Sequence, residues 1–167
     1  MQLRHARPGD LAALAAVEAA CFPPAEAAGP AALAARLAAF PQQFLLLWDG
    51  DTLAGFINGM PTDAPDLCDE MYENAALADA RGAWQMIFGL DVAPAYRGRG
   101  LAGQLLDALI AQARAEGRRG LVLTCKPGLR GLYARHGFAD EGVSASQHGG
   151  VLWHQMRLRF AEGEETP

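Results

Sequence analysis

Apolar positions along this chain switch repeatedly between a spacing of two and a spacing near three and a half, which predicts strands and helices in alternation. Met1 to Ala6 reads as a first strand. Pro8-Gly9-Asp10 opens a helix whose apolar positions Leu11, Leu14, Val17 and Cys21 recur at helical spacing, and Cys21-Phe22-Pro23-Pro24 ends it. A second, Ala-rich helix is predicted from about Pro30 to Phe40, with Leu33 and Leu37 on one face and Pro41 as the break. Phe44 to Trp48 and Leu53 to Met60 flank Asp49-Gly50-Asp51-Thr52, whose Asp-Gly pair predicts an antiparallel hairpin. Gly55 and Gly59 mark places where its second strand would bulge or face a ligand.

Beyond the hairpin the pattern predicts a short helix near Asp66 to Asn74, with Leu67 and Met71 turned inward. A strand from Gln85 to Val92 follows, then a Gly-rich turn and a helix from about Leu101 to Glu116. In that helix Leu101, Leu105, Leu109 and Ala113 repeat every four residues, Leu106 and Ile110 widen the stripe, and Gly117 supplies the stop. Leu121 to Cys125 is an apolar run expected to be a central strand covered on both faces. Strand, turn, helix and strand make one right-handed crossover.

With 167 residues the chain is sized for one domain, read as residues 1–160, and the acidic tail over 161–167 is expected to be disordered. No apolar run approaches the roughly 18 positions of a membrane span, and the N-terminus lacks a signal-peptide pattern, so a cytoplasmic protein without a membrane partner is expected. Cys21, Cys68 and Cys125 are odd in number and scattered, which suggests neither a disulfide framework nor a metal site. A net charge of −5 argues against a nucleic-acid partner. Between Pro61 and Ala80, however, Asp63, Asp66, Asp69, Glu70, Glu73 and Asp79 stand without an intervening base. Such a run is either a solvated face or an acidic rim attracting a cationic amine, and its insertion between two strands makes it a lid candidate.

The richest chemistry lies in Tyr96-Arg97-Gly98-Arg99-Gly100-Leu101-Ala102. Gly98 and Gly100 allow a tight turn and close approach of the backbone, and the free N–H groups of the first helical turn point at one place. A diphosphate held there would gain those donors and the positive end of the helix dipole, with charge added by Arg97 and Arg99. The Gly-Lys-Ser/Thr ending of a Walker loop is absent. Gly98, Gly100 and Gly103 fit a dinucleotide glycine spacing, but the required acid on a following strand is missing near Cys125.

Arg97, Gly100 and Ala102 instead spell Arg-x-x-Gly-x-Gly/Ala, the coenzyme A signature of the GNAT superfamily of N-acetyltransferases, which the chain resembles. From Gln85 to Met156 the element order matches as well, and Tyr133 followed by Gly137-Phe138 supplies the superfamily's second marker. Leu90-x-Val92 and Leu123-x-Cys125 look most like the arylalkylamine N-acetyltransferase branch and its bacterial relatives. The resemblance implies an α/β fold with a mixed, mostly antiparallel sheet of about seven strands, helices on both faces, and a central splay between the fourth and fifth strands. A one-residue bulge near Leu90 would open that splay. The implied cosubstrate is acetyl-CoA, held by Leu90, Asp91 and Val92, by Arg97 through Gly103 (Arg97, Gly98, Arg99, Gly100, Leu101, Ala102, Gly103), and by Lys126. Many relatives pair through sheet edges, which leaves room for a homodimer.

Transfer of an acetyl group to an amine needs a proton for the departing thiolate. Tyr133 is the candidate general acid, because a phenol of pKa about 10 stays protonated at neutral pH and can donate to a thiolate whose conjugate acid lies near 8.5. The resemblance points to Phe22, Pro23, Phe56 and Trp153 for the acceptor pocket, and to a small hydrophobic or aromatic primary amine attacking directly in a ternary complex. The arylalkylamine enzymes carry two histidines where this chain has Met86 and Phe88, so their proton relay is not available. Glu73, Glu26, His148 or bulk water would then take the amine's proton, and His148 also joins the pocket residues. The alternatives are a protein N-terminal or lysine acetyltransferase, a non-catalytic acyl-CoA-binding module and, more distantly, a nucleotide-binding α/β protein.

Overall fold

A computed structural model describes residues 1–162, and residues 163–167 of the acidic tail expected over 161–167 lie outside the described residues. Strand β1 (Gln2–His5) leads into α1 (Leu11–Cys21) and α2 (Pro30–Ala39), then the hairpin β2 (Phe44–Asp49) and β3 (Thr52–Asn58). A two-residue strand, β4 (Pro61–Thr62), and a single-turn helix, α3 (Glu70–Glu73), precede β5 (Trp84–Ile87) and β6 (Gly89–Val92). Helix α4 (Leu101–Ala115), β7 (Gly120–Cys125), α5 (Arg130–Arg135), β8 (Ala139–Val143) and β9 (His154–Arg159) complete the order.

The strands pair as β1-β2-β3-β6 and as β4-β5-β7-β9-β8, and β5 with β7 is the one parallel pair among the described residues. Alternation along β2 explains the layering. Phe44 and Leu46 face the core under α1 and α2 with Leu14, Leu33, Leu37 and Phe56, whereas Leu45 and Leu47 face the core under α4 with Leu105, Leu106 and Leu109. The mixed sheet with helices on both faces is the one expected. Helix α4 ends as its sequence predicts, on Gly117 at φ +76°, with the Arg118 amide donating to the Ala113 carbonyl at 3.1 Å.

Two expectations change at the middle of the sheet. The strand expected over Gln85 to Val92 is broken at Phe88, two positions before the expected bulge. Its first half pairs with β7 and its second half with β3. The hairpin's second strand, expected to reach Met60, stops at Asn58. A Cβ on Gly59 would lie 1.6 Å from the Met86 carbonyl oxygen, so here two backbones touch with no room for a side chain. The Phe88 amide donates to the Asn58 carbonyl and the Met86 amide to the Met60 carbonyl, each at 2.8 Å, on either side of that contact.

The acidic stretch is a wall rather than a lid. Leu67 and Met71 are buried as predicted, but the helix is confined to α3 because the preceding residues are held by side-chain bonds. Buried Arg157 on β9 binds Asp66, the Pro65 carbonyl and Glu141, and stacks on Trp84 at 4.7 Å. Asp69 accepts from Ser146 Oγ and, at 2.9 Å, from the Gln147 amide. Asp63 and Asp79 accept from the amides of Ala83 and Arg81. These carboxylates are occupied by structure, which leaves little of the amine-attracting rim.

Candidate active site

The Gly-rich turn and the start of α4 form the cradle the sequence suggested. Gly98 at φ +79° and Gly100 at φ +76° adopt the left-handed backbone that disfavours side chains. The space beside both is open, so positive φ, rather than crowding, requires glycine. Gln104 makes the first bond of the helix, to the Gly100 carbonyl at 3.2 Å, so the amides of Leu101, Ala102 and Gly103 precede any helical partner. Leu101 anchors the turn in the core beneath α4. Arg97 donates through Nε to the Val92 carbonyl at 3.2 Å, and Arg99 lies 5.1 Å over the Tyr96 ring, so both cations stay beside the cradle. These groups suit a diphosphate.

The parting of β6 from β7 leaves a slot in the sheet. Beyond Phe88, β6 leaves β7 and turns to β3, where the Ala93 amide donates to the Ala54 carbonyl at 2.8 Å. Antiparallel alternation therefore directs the backbone groups of Leu90 and Val92 to the open edge. Those groups and the cradle would hold the pantetheine arm and the diphosphate of coenzyme A. The slot widens into a cavity between the splayed strands, lined by β6 and β7 and, on the far side, by α1 and α2.

Tyr133 of α5 reaches the cavity beside Leu123, Thr124 and Cys125. Its ring sits edge-on to Phe138 at 5.8 Å, and its hydroxyl has no protein hydrogen-bond partner among the described residues. Burial, with smaller contributions from Cys125, Asp91 and Tyr72, pushes the phenol well above its ordinary value. It is a proton donor across the neutral range. Cys125 is not a nucleophile in waiting, since burial pushes its thiol up to about 11.

The model of the acetyltransferase (GNAT) family matches residues 11–138. The chain belongs to that family. No curated protein matches it. Among solved structures, the GphF GNAT-like decarboxylase in complex with isobutyryl-CoA is 25% identical, with 95% of this chain and 99% of that one covered at a TM-score of 0.82. The loading GNATL domain of CurA from Lyngbya majuscula is 19% identical over 95% and 96%, at 0.81. The ribosomal-protein-S18-alanine N-acetyltransferase from Escherichia coli is 17% identical over 99% and 97%, at 0.72. As a GNAT protein the chain takes an acyl-CoA as cosubstrate. Among the described residues, no group of His, Cys, Asp and Glu could hold a metal ion, and no helix is long and apolar enough to cross a membrane.

The residues expected to shape the acceptor side of this GNAT cavity divide. Phe22, His148 and Trp153 line it. Trp153 Nε1 donates to the His148 carbonyl at 2.7 Å, and the His148 ring stacks on Tyr72 at 4.8 Å. His148 Nε2 lies 2.9 Å from the Glu26 carbonyl, an oxygen that can only accept, so this nitrogen carries the proton. Pro23 and Phe56 are corrections. Pro23 is exposed and holds the turn after α1, its carbonyl accepting from the Glu26 and Ala27 amides at 2.9 Å. Phe56 is fully buried, stacked on Phe44 at 6.5 Å, because its position on β3 faces the α1–α2 core.

Three further expectations move. Asp91, expected among the coenzyme A contacts, is fully buried and sits on the face of β6 opposite Leu90 and Val92, level with Phe56. Gly103 contributes its amide to the cradle, while its missing side chain makes way for the His136 ring 3.4 Å from where a Cβ would lie. Lys126 pairs with Glu26 at 2.8 Å, joining the end of β7 to the segment after α1 across the cavity's rim. Glu26 lines the cavity with Oε1 on Lys126 and Oε2 without a hydrogen-bond partner among the described residues, whereas Glu73 is exposed away from it.

Glu18, Arg36, Tyr72 and Phe88 line the cavity and were not among the residues expected there. Arg36 is buried, with Nη2 donating to the Tyr72 carbonyl at 3.0 Å and the guanidinium 4.8 Å over Phe88. A signal for two of them existed. Glu18 is the lone charge in α1 and stands on its apolar face, between Val17 and Cys21, and Arg36 interrupts the Leu33 and Leu37 face of α2 in the same way.

Proposed function

We propose that this GNAT protein is an acetyl-CoA-dependent N-acetyltransferase that modifies a small hydrophobic or aromatic primary amine by direct attack in a ternary complex. The observation that carries the reading is the placement of Tyr133 in the cavity where β6 and β7 part, with the cradle of Arg97 to Gly103 following β6 in the chain. Backbone groups at Leu90 and Val92 orient the thioester, and Tyr133 gives its proton to the sulfur as the carbon–sulfur bond breaks. Phe22, Tyr72, Phe88, His148 and Trp153 supply an aromatic enclosure for the acceptor's body. The Leu-x-Val and Leu-x-Cys positions flanking the slot support kinship with the arylalkylamine branch, with Met86 and Phe88 in place of its histidines.

An extended polypeptide acceptor fits less well. The Glu26–Lys126 pair and the His148–Glu26 bond close the rim on the acceptor side. Thiol release from acetyl-CoA across a panel of arylalkylamines, alkylamines and N-terminal peptides tests the reading, with turnover expected for the first group. Saturable acetyl-CoA binding with no turnover on any acceptor would instead leave an acyl-CoA-binding module. Trp153→Ala should raise the acceptor's KM about 10-fold or more while changing that for acetyl-CoA little. Equal effects on both would reduce Trp153 to packing.

A second reading, decarboxylation of a carboxylated acyl-CoA, has one observation in its favour. Arg36 places a guanidinium in the cavity wall, and the GphF GNAT-like decarboxylase is 25% identical over nearly the whole chain. The charge of Arg36 is balanced by Glu18, which favours the first reading. Release of carbon dioxide from malonyl-CoA or methylmalonyl-CoA would favour the second.

A further inference from the structure

Acetyl transfer to an amine needs a group to take the nitrogen's proton, and the floor of the cavity carries polar groups not yet given a task. A Cβ built on Gly89 would lie 3.0 Å from Asp91 Oδ1, 3.3 Å from Asn58 Nδ2 and 3.5 Å from Glu18 Oε1. Three side chains from β6, β3 and α1 thus converge on one point, immediately after the strand break and in the cavity wall. Of these residues, Gly89 and Glu18 line the cavity itself.

As a carboxylate Asp91 finds no donor for either oxygen, and neither polar atom of the Asn58 amide has a hydrogen-bond partner among the described residues, although both side chains are fully buried. An ionised Asp91 would be a desolvated charge with no donor to support it. Burial foremost, and then the neighbouring Glu18 carboxylate, raise Asp91 well above the carboxylate range, so it keeps its proton and offers it to Glu18. Glu18 is also raised by burial, but the Asp91 hydrogen bond, the Ala28 amide at 3.5 Å, Arg36 and His148 all oppose that rise. The pair therefore holds one proton and one negative charge, and Arg36 balances it. The thiol of Cys21 on α1 also stands near, raised by burial and by Asp91 and bonded to the Val92 carbonyl at 3.3 Å.

We propose that Glu18, which lines the cavity beside Gly89 and takes the hydrogen bond of Asp91, is the base that takes the proton from the attacking nitrogen. This rests on the acetyl-transfer reading above. As the nitrogen–carbon bond forms, the N–H proton passes to Glu18. As the carbon–sulfur bond breaks, the thiolate takes a proton from Tyr133. The Glu18 proton then leaves to solvent and Tyr133 regains one, so the net change is amine and thioester to amide and thiol. Asp91 is a positioning residue, since it acts through Glu18.

Steady-state kinetics over pH with the best arylalkylamine test the assignment. Glu18→Gln should lower kcat about 10²-fold, leave the KM for acetyl-CoA near its wild-type value, and abolish the acid limb of kcat/KM for the amine. Glu18→Asp should restore part of the rate together with the limb. Asp91→Asn donates a weaker hydrogen bond, so Glu18 holds its proton more tightly and the limb should move to higher pH with a smaller loss of kcat.

Because both carboxyls are buried, melting is followed as well. A carboxyl whose folded pKa is raised binds a proton that the unfolded chain releases, so wild-type stability falls as pH rises above about 4 through the raised range. The Tm of Asp91→Asn should accordingly gain on the wild type with rising pH. A constant Tm difference, or a Glu18→Gln enzyme with wild-type kcat and an intact acid limb, overturns the proposal. A wild-type protein that binds acetyl-CoA yet acetylates no amine overturns the acetyl-transfer reading itself, and the two failures are thereby told apart.

Discussion

A Tyr133→Phe variant is expected to turn over acetyl-CoA and amine about 10²- to 10³-fold more slowly than the wild type, with unchanged affinity for acetyl-CoA. The substitution removes one oxygen and keeps the ring, so the edge-on contact with Phe138 at 5.8 Å and the packing of α5 survive. What is lost is the proton for the departing sulfur. A phenol raised far above its ordinary value would be a weak donor to a thiolate in water, but the developing thiolate shares the same dry wall. The neighbouring Cys125 thiol, pushed up to about 11, shows that this wall disfavours thiolate as well as phenolate. The driving force for donation is therefore retained. The protonated form of Tyr133 is the active one and persists until pH exceeds its raised pKa, so kcat should show no alkaline fall below about pH 10. Thiol release at saturating substrates, together with calorimetric titration of acetyl-CoA, measures both halves of the expectation. A kcat equal to the wild type's would remove Tyr133 from the mechanism.

Gly59→Ala should destabilise the protein by about 3–5 kcal/mol and lower its Tm by roughly 10 °C or more. The added methyl would sit 1.6 Å from the Met86 carbonyl oxygen and 2.9 Å from the Ile87 Cα, both backbone atoms that no rotamer change can move. The chain after β3 and β5 must part, and the two 2.8 Å amide bonds that bracket the contact, Phe88 to Asn58 and Met86 to Met60, are strained or lost. Each such bond contributes about 1 kcal/mol net, and forced overpacking adds the rest. The damage falls at the strand break, so acetyl-CoA binding should weaken together with the fold. Thermal melts with and without acetyl-CoA check this. A Tm within about 2 °C of the wild type would mean that the two backbones do not meet at Gly59.

Much of the site could be read before any coordinates. The cradle is local: its glycines, its arginines and the helix that follows are contiguous, and the unpaired amides of a helix start exist whatever packs around them. The tyrosine helix is local in the same sense. Residues that depend on which face of an element meets which neighbour were less legible. Phe56 and Asp91 are paired across β3 and β6 and share one face, and the sequence does not say that this face lies under α1 and α2 rather than along the slot. Pro23 fails for a related reason, since a turn after a helix can point outward as easily as inward. The acidic stretch looked like a charged rim because its partners, Arg157 and the amides near Ser146, are distant in the chain.

Composition and periodicity by themselves determined an α/β chain with a strand, a phosphate-suited turn, an amphipathic helix and a buried strand in succession, because these are properties of neighbouring residues and of the backbone between them. Where the strand from Trp84 to Val92 breaks, and hence where the cavity opens, was decided by the meeting of the Gly59 and Met86 backbones. The same holds for Glu18. Alone in an apolar helix it is only an anomaly, and it becomes a buried carboxyl raised above its ordinary value when the fold buries it beside Asp91, because the charge state of a desolvated group is set by what the tertiary fold places around it.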